Sequence, residues 1–396
     1  MTNRWAVLAL IMAAQTMANV GPLGIPSIAP LIRESLDLSV AQAGSFLSAY
    51  YIGPVLMSLP AGWVADRWGV RSAMILGQAV IAVGLGAVAI APSFGFMIVI
   101  LMLAGAGYGV LNPTTTKAGM AWFPPRQRAT VVGLKQVGLP GGGALGALVM
   151  PPLAIAFGWR WAVALAAAMV AGLALLTWAL YRDLPEPLAA GSVPARTSFW
   201  AVLRNRDLWL VGLSTLVFAG VQTVFLAFLV LYLHGVVQIA LVVAAKYLVA
   251  VQCGGVAGRI GFGLLSDRLF GGRRRIVLAI AGLGSITCAL LLSTTAPGAG
   301  PARLLPLAAA IGFFGVGWNG VQHTLMAELA GPRTAGTAVG LGLAISSLGV
   351  TVCPPIFGLV VERAGGFGAA WLSLAASMAL GLLLLIPVRE RTMTTS

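Results

Sequence analysis

The sequence predicts an all-α membrane protein of twelve transmembrane helices in two pseudo-symmetric six-helix halves. Three observations carry that prediction. The 396 residues are 59% hydrophobic and only 9% charged, with a mean hydropathy of +0.96. The apolar residues gather into twelve runs, each long enough to cross about 30 Å of hydrocarbon. One polar stretch divides those runs six and six, and short motifs recur on either side of it. A soluble domain is about a quarter charged. The composition therefore excludes a soluble enzyme, a disordered chain and a disulfide-stapled secreted protein. Barrel strands would read as runs of about 10 residues with alternating polarity.

The runs follow in order. A short polar start, Met1 to Arg4, leads into span 1 at 5–31, too long for the apolar core of a cleaved signal peptide. Span 2 covers 41–63, span 3 73–91 and span 4 96–120. Span 5, at 129–157, carries the cluster Gly138 to Gly143 and Pro151-Pro152, and span 6 covers 161–181. Pro185, Pro187, Gly191 and Pro194 make 182–207 a linker. Its end, Ser198 to Arg206, is expected to form a short interfacial helix with Phe199 and Trp200 against lipid. Spans 7 to 12 cover 208–233, 237–265, 276–295, 303–328, 335–361 and 369–388. The expected domains are a bundle at 1–181, the linker, and a second bundle with a short tail at 208–396.

Charge predicts the orientation. With the N-terminus cytoplasmic, inner segments hold sixteen of the 24 basic residues and outer loops hold Arg33, Arg160, Arg303 and Arg363. Basic residues are retained on the cytoplasmic side. A multi-pass cell (inner) membrane protein with both termini cytoplasmic is expected. The net charge of +14 has this cause, so no nucleic acid is implied. Cys253, Cys288 and Cys353 lie in apolar stretches at no metal-ligand spacing. No cofactor and no metal are expected.

The halves repeat. After span 2 stands Gly62-Trp-Val-Ala-Asp66-Arg67-Trp-Gly69-Val-Arg71, and after span 8 Gly263-Leu-Leu-Ser-Asp267-Arg268-Leu-Phe-Gly271-Gly-Arg273-Arg274-Arg275. Spans 5 and 11 share a Gly-Leu pair and a Pro-Pro pair. Parallel six-span repeats are a transporter architecture, with a substrate site expected near the midplane between the halves. The repeated loop resembles the signature loop of the major facilitator superfamily. Departures are Ser72 in place of a basic residue and one extra residue before Gly271. Asp66, Arg67, Arg71, Asp267 and Arg268 are the expected gating residues. A carboxylate there suits a helix N-terminus, and guanidinium groups clamp acids or lipid phosphate. The plainer reading is turn chemistry with positive-inside charge.

Ionisable residues within spans are functional candidates, because each is costly at mid-membrane. They are Lys117, Lys135, Lys246, Arg259, His323 and Glu328. Excess cations fit an anionic substrate. Arg259 stands eight residues before Asp267, about 12 Å of helix, where its planar fork suits a carboxylate. Lys135 offers a second positive charge or snorkels, and the facing of Lys117 and Lys246 stays open. His323 and Glu328 are candidates for proton coupling, with helix packing and the gate as their plainer roles. Tyr108, Asn112, Gln15, Gln222, Trp318 and Asn319 are polar or aromatic candidates for the cavity, with inter-helix glue as the alternative.

Arg259 to Asp267 also resembles span 8 of monocarboxylate transporters and of the oxalate:formate antiporter family. Trp122-Phe123-Pro124 with Arg126 and Arg128 is similar to the same subgroup. That resemblance implies that Arg259 holds the substrate carboxylate. Dicarboxylate members carry a second cation in span 11. Ala338 to Pro355 contains none, which favours a monocarboxylate. The expectation is a secondary active transporter of a small organic anion, working by alternating access as a proton symporter or anion exchanger. It is expected to act as a monomer in the bilayer and not as an enzyme. The alternative is a proton-coupled drug or multidrug efflux pump, although span 1 lacks an embedded acid and span 4 lacks an Arg.

Overall fold

A computed structural model describes residues 3–57, 60–183, 202–331 and 334–390. The described residues form helices joined by turns and short connections, with no strand. The first half forms α1 (Arg4–Ser35), α2 (Val40–Gly44), α3 (Phe46–Met57), α4 (Pro60–Ala89), α5 (Phe94–Trp122), α6 (Pro125–Phe157) and α7 (Trp159–Leu180). The second forms α8 (Arg206–Gly235), α9 (Leu241–Leu264), α10 (Arg274–Ser293), α11 (Pro301–Val316), α12 (Asn319–Ala330), α13 (Ala335–Arg363) and α14 (Phe367–Leu383). Ten described helical stretches are long and apolar enough to cross a membrane. Two shorter apolar helices, Phe46–Met57 and Phe367–Leu383, bring the set to the predicted twelve. Phe199 and Trp200, the expected interfacial helix, lie outside the described residues.

Helix ends follow local chemistry. The Asn3 side chain accepts from the Trp5 N–H at 2.9 Å and caps α1. Ser39 and Gln42 form a reciprocal capping box that opens α2. Ser93 caps α5, and Pro125 opens α6, where a missing N–H is harmless.

Two predicted elements differ in the structure. Span 10 is broken between α11 and α12. The indole of Trp318 donates to the Gly315 carbonyl at 3.1 Å, and Asn319 Nδ2 donates to the Val316 carbonyl at 2.9 Å. These side chains satisfy the carbonyls that the break exposes. The loop after span 2 is short, because helix runs up to Gly69, turns there at φ 80 and ψ 164, and resumes. That backbone region is essentially reserved for glycine.

The chain divides into two compact units, Met1–Pro187 with Ala227–Val249, and Leu188–Leu226 with Ala250–Ser396. In the first unit, α1 packs along α6, and α4 packs against α5 and α7. In the second, α10 packs against α11 and α14. Glycines set the closest crossings. A Cβ on Gly24 of α1 would lie 2.9 Å from Cα of Gly146 on α6. A Cβ on Gly258 of α9 would lie 3.0 Å from Cα of Gly317, just beyond α11. Both crossings are backbone against backbone, the arrangement that small residues permit in membranes.

Candidate functional site

The first unit holds a polar cluster built from three helices. Lys135 of α6 is only 1% exposed. Its Nζ donates to the Asn112 carbonyl at 2.9 Å, to Asn112 Oδ1 at 2.7 Å and to Thr116 Oγ1 at 2.7 Å. All three ammonium donors are therefore spent on neutral oxygens. Gln15 of α1 donates from Nε2 to the same Asn112 Oδ1 at 2.7 Å, and Asn19 Nδ2 donates to the Gln15 carbonyl at 2.7 Å. Gln15 Oε1 and Asn19 Oδ1 are buried and accept no hydrogen bond among the described residues. Gly138, on the turn after Lys135, sets how close α6 comes to α1, since a Cβ there would meet Gln15 Cβ at 2.8 Å. Tyr108 is buried one turn before Asn112, with its ring 5.9 Å from that of Tyr50. Lys117 is half-buried, whereas Lys246 is exposed.

The second unit holds a different cluster. Arg259 is half-buried on α9, one residue after the Gly258 crossing. His323 on α12 is half-buried. Asn319 Nδ2 also donates to Gln222 Oε1 of α8 at 3.1 Å. Trp318 is buried against Phe218, with ring centroids 5.2 Å apart. Gln322, one turn beyond Trp318, is 2% exposed, and neither Nε2 nor Oε1 has a hydrogen-bond partner among the described residues.

Each unit carries one copy of the signature motif. In the second copy, α9 ends in a π-turn, Leu265–Leu269, and Gly271 and Gly272 turn the chain at φ 56 and 82. Arg274 then gathers three groups. It donates to Ser266 Oγ at 2.7 Å, to Asp267, and to Glu328 Oε1 at 3.3 Å. Glu328 is thus joined to the motif, while Arg268 is exposed. In the first copy, Arg67 is exposed, and the side chains of Asp66, Arg126 and Arg128 lie outside those described.

A carboxylate caps the helix that follows each motif. The Arg71 N–H donates to Asp183 Oδ1 at 3.0 Å, and the Arg71 guanidinium reaches the Trp178 carbonyl at the end of α7. The Arg275 N–H donates to Glu390 Oε1 at 2.6 Å, and its guanidinium reaches the Ile386 carbonyl at 2.8 Å and that of Val388. Arg71 thus corresponds structurally to Arg275, not to Arg273 as an alignment on Gly69 and Gly271 implies. The pairing is set by cap geometry, and the second loop is longer. Sequence reasoning missed Asp183, Arg274, Arg275 and Glu390 as site residues. The signal was Arg182-Asp183 after span 6 and Arg389-Glu390 after span 12, the same dipeptide chemistry at the same place in each half.

Comparisons with known proteins agree with this architecture. The family model described as the Major Facilitator Superfamily matches residues 5–346. The Probable sulfoacetate transporter SauU of Cupriavidus necator is 26% identical over 96% of this chain and 93% of its own. The hexuronate transporter of Bacillus subtilis is 26% identical over 87% of this chain and 85% of its own. Monocarboxylate transporter 11 of Mus musculus is 27% identical over 88% of this chain and 78% of its own. A solved bacterial homolog of the human lysosomal transporter Spinster superposes with a TM-score of 0.78 at 18% identity, over 98% of this chain and 96% of that one. Span set, repeated motif and family match converge: the chain belongs to the Major Facilitator Superfamily, as a multi-pass membrane protein and secondary transporter rather than an enzyme.

Proposed function

We propose that this transporter carries a small organic anion, most simply a monocarboxylate, across the cell membrane by alternating access with both termini cytoplasmic. One observation carries the reading. Lys135 is buried in the membrane-spanning part of the first unit and, among the described residues, is bonded only to neutral oxygens. A buried ammonium without a counter-charge is unfavourable, and an anionic substrate supplies that charge. Arg259 is the proposed carboxylate anchor, and Lys135 is the second cation. Gln15, Tyr108, Asn112, Gln222, Trp318 and Asn319 are the proposed polar and aromatic contacts.

The relatives support the substrate class. Those named for sulfoacetate, hexuronate and monocarboxylates share a carboxylate-bearing cargo. The open acceptors Gln15 Oε1 and Asn19 Oδ1 add a preference for hydroxylated carboxylates, whose O–H groups donate. Proton symport or anion exchange completes the cycle, with His323 as the proposed proton-coupling group.

Ligand-induced thermal stabilisation tests the reading, because a ligand that binds only the folded state raises stability by mass action. The panel holds plain and hydroxylated monocarboxylates, a dicarboxylate, the matching amides and a lipophilic cation. A monocarboxylate is expected to raise the Tm of the wild type, its amide is not, and Arg259→Gln is expected to lose the rise. Stabilisation by the lipophilic cation alone, or by acid and amide equally, overturns the anion reading.

A further inference from the structure

At the motif-bearing end of the second unit, α8, α10 and the segment after α14 line a cavity of about 1080 Å³. Its polar wall holds four guanidinium groups, from Arg206, Arg273, Arg275 and Arg389, against the carboxylates of Asp207 and Glu390. Two of these groups are already engaged. Glu390 caps α10 through the Arg275 N–H, and the Arg275 guanidinium holds carbonyls of the segment after α14. The side chains of Arg206, Arg273 and Arg389 are exposed and make no hydrogen bond or ion pair with another described residue. Three open guanidinium groups thus face one open carboxylate.

The lining also includes apolar residues, Leu382 and Ile386 among them. It leads onto an outward stripe of α14 and the turn after it, where Leu380 and Leu383 of the helix are 63% and 57% exposed and Ile386 just beyond it is 64% exposed. A site with an arginine rim and a wall continuous with a lipid-facing helix fits an amphiphile with a phosphate head. We propose that this cavity binds an anionic phospholipid, with its phosphate on Arg273 and Arg389 and an acyl chain along α14. Guanidinium groups pair bidentately with phosphate, and basic pockets between membrane helices suit acidic headgroups. The excess positive charge disfavours a zwitterionic head, whose cation meets the same arginines. A free phosphate makes no use of the α14 stripe.

Thermal unfolding of the full chain in detergent tests the site with four additives: phosphatidylglycerol, phosphatidylcholine, inorganic phosphate and glycerol phosphate. Phosphatidylglycerol is expected to raise the Tm well beyond phosphatidylcholine, and neither soluble phosphate is expected to match it. The double variant Arg273→Gln/Arg389→Gln is expected to erase the difference between the lipids, whereas Arg303→Gln in the first turn of α11 keeps it. Native mass spectrometry of the wild type reads the same preference without any variant. Retention of phosphatidylglycerol is expected to exceed that of phosphatidylcholine by about tenfold. Equal retention, an unchanged lipid difference in the double variant, or equal stabilisation by inorganic phosphate overturns the lipid site. Failure of the carboxylate panel above leaves these outcomes unaffected, since the cavity lies wholly within 206–207, 273–279 and 382–390.

Discussion

The two copies of the signature motif solve one problem with different parts. Each must end one membrane helix and start the next within a few residues, leaving N–H groups that need acceptors. The first copy turns on a single residue, Gly69, and borrows Asp183 from the end of the sixth span as its cap. The second has a longer loop, turns on Gly271 and Gly272, and borrows Glu390 from the end of the twelfth. What they share is the borrowed carboxylate, placed where a helix N-terminus favours negative charge. What differs is the arginine hub. Arg274 ties Ser266, Asp267 and Glu328 together, and the residue just before Arg71 is Val70, which carries no charge. The cap is thus the structural element seen in both halves, and Arg274 has no charged equivalent at the position before Arg71.

Substitutions break that comparison in a definite order. The largest effect belongs to Gly69→Ala. Its backbone conformation is essentially closed to other residues, and the new Cβ would lie 2.7 Å from Asp183 Oδ2. A loss of about 3 kcal/mol is expected in thermal or denaturant unfolding. Gly271→Ala, at φ 56 with nothing within 4 Å of its Cβ, is expected to cost about 1 kcal/mol. Equal losses at the two glycines would show that the turns are equivalent after all.

Next comes Arg274→Gln, which leaves Glu328 with a weaker donor and Asp267 with none. Arg274 is 15% exposed and Asp267 63%, so most of the effect runs through Ser266 and Glu328. About 2 kcal/mol is expected. Because Arg274 pairs with Asp267, one of the expected gating residues, uptake assays are also expected to change before the fold is lost. A wild-type Tm would remove the hub from the account.

The caps rank third. Glu390→Ala is expected to cost about 1 kcal/mol, and Asp183→Ala less, because Asp183 is exposed and Glu390 is half-buried. The reverse order, read in parallel melts, would mean that the first cap is the stronger.

The smallest effect is in pH. Burial raises the Glu390 carboxyl above its usual value, against the opposing pull of the Arg275 N–H and charge. A raised folded-state value favours the protonated form in the native state. Glu390's contribution is therefore fully present below about pH 4.3, the ordinary glutamate value, and fades as pH rises through the raised one. Glu390→Gln is expected to flatten that part of the stability profile. A wild-type slope retained in Glu390→Gln would assign it to another group.

Much of the fold was legible in the sequence, because hydrocarbon thickness fixes span length and a run of about 20 apolar residues has few other uses. The break of span 10 was not, since it rests on Trp318 and Asn319 bonding carbonyls three residues behind them. Gln15, Asn112 and Lys135 were legible as polar residues in spans, but their meeting was not. It depends on the rotation of α6 about its axis, which the Gly138 and Gly146 contacts with α1 set. The caps were missed because Asp183 and Glu390 follow the last residue of a span, where charge reads as an ordinary membrane boundary.

The crossing at Gly258 also bears on how this chain can change over generations. Every single-base change that replaces glycine by another residue adds at least a Cβ, and here a Cβ would press on the Phe313 carbonyl of α11 and on the backbone of Gly317 just beyond it. Gly258 therefore has no conservative neighbour in codon space. Arg259 stands immediately after it. A change of the proposed anchor alters its charge and reach, whereas a change of the floor it stands on disturbs the crossing itself. Diversification of substrate preference at this position is thus expected to proceed through Arg259 itself, while Gly258 stays fixed in the lineages that keep the crossing.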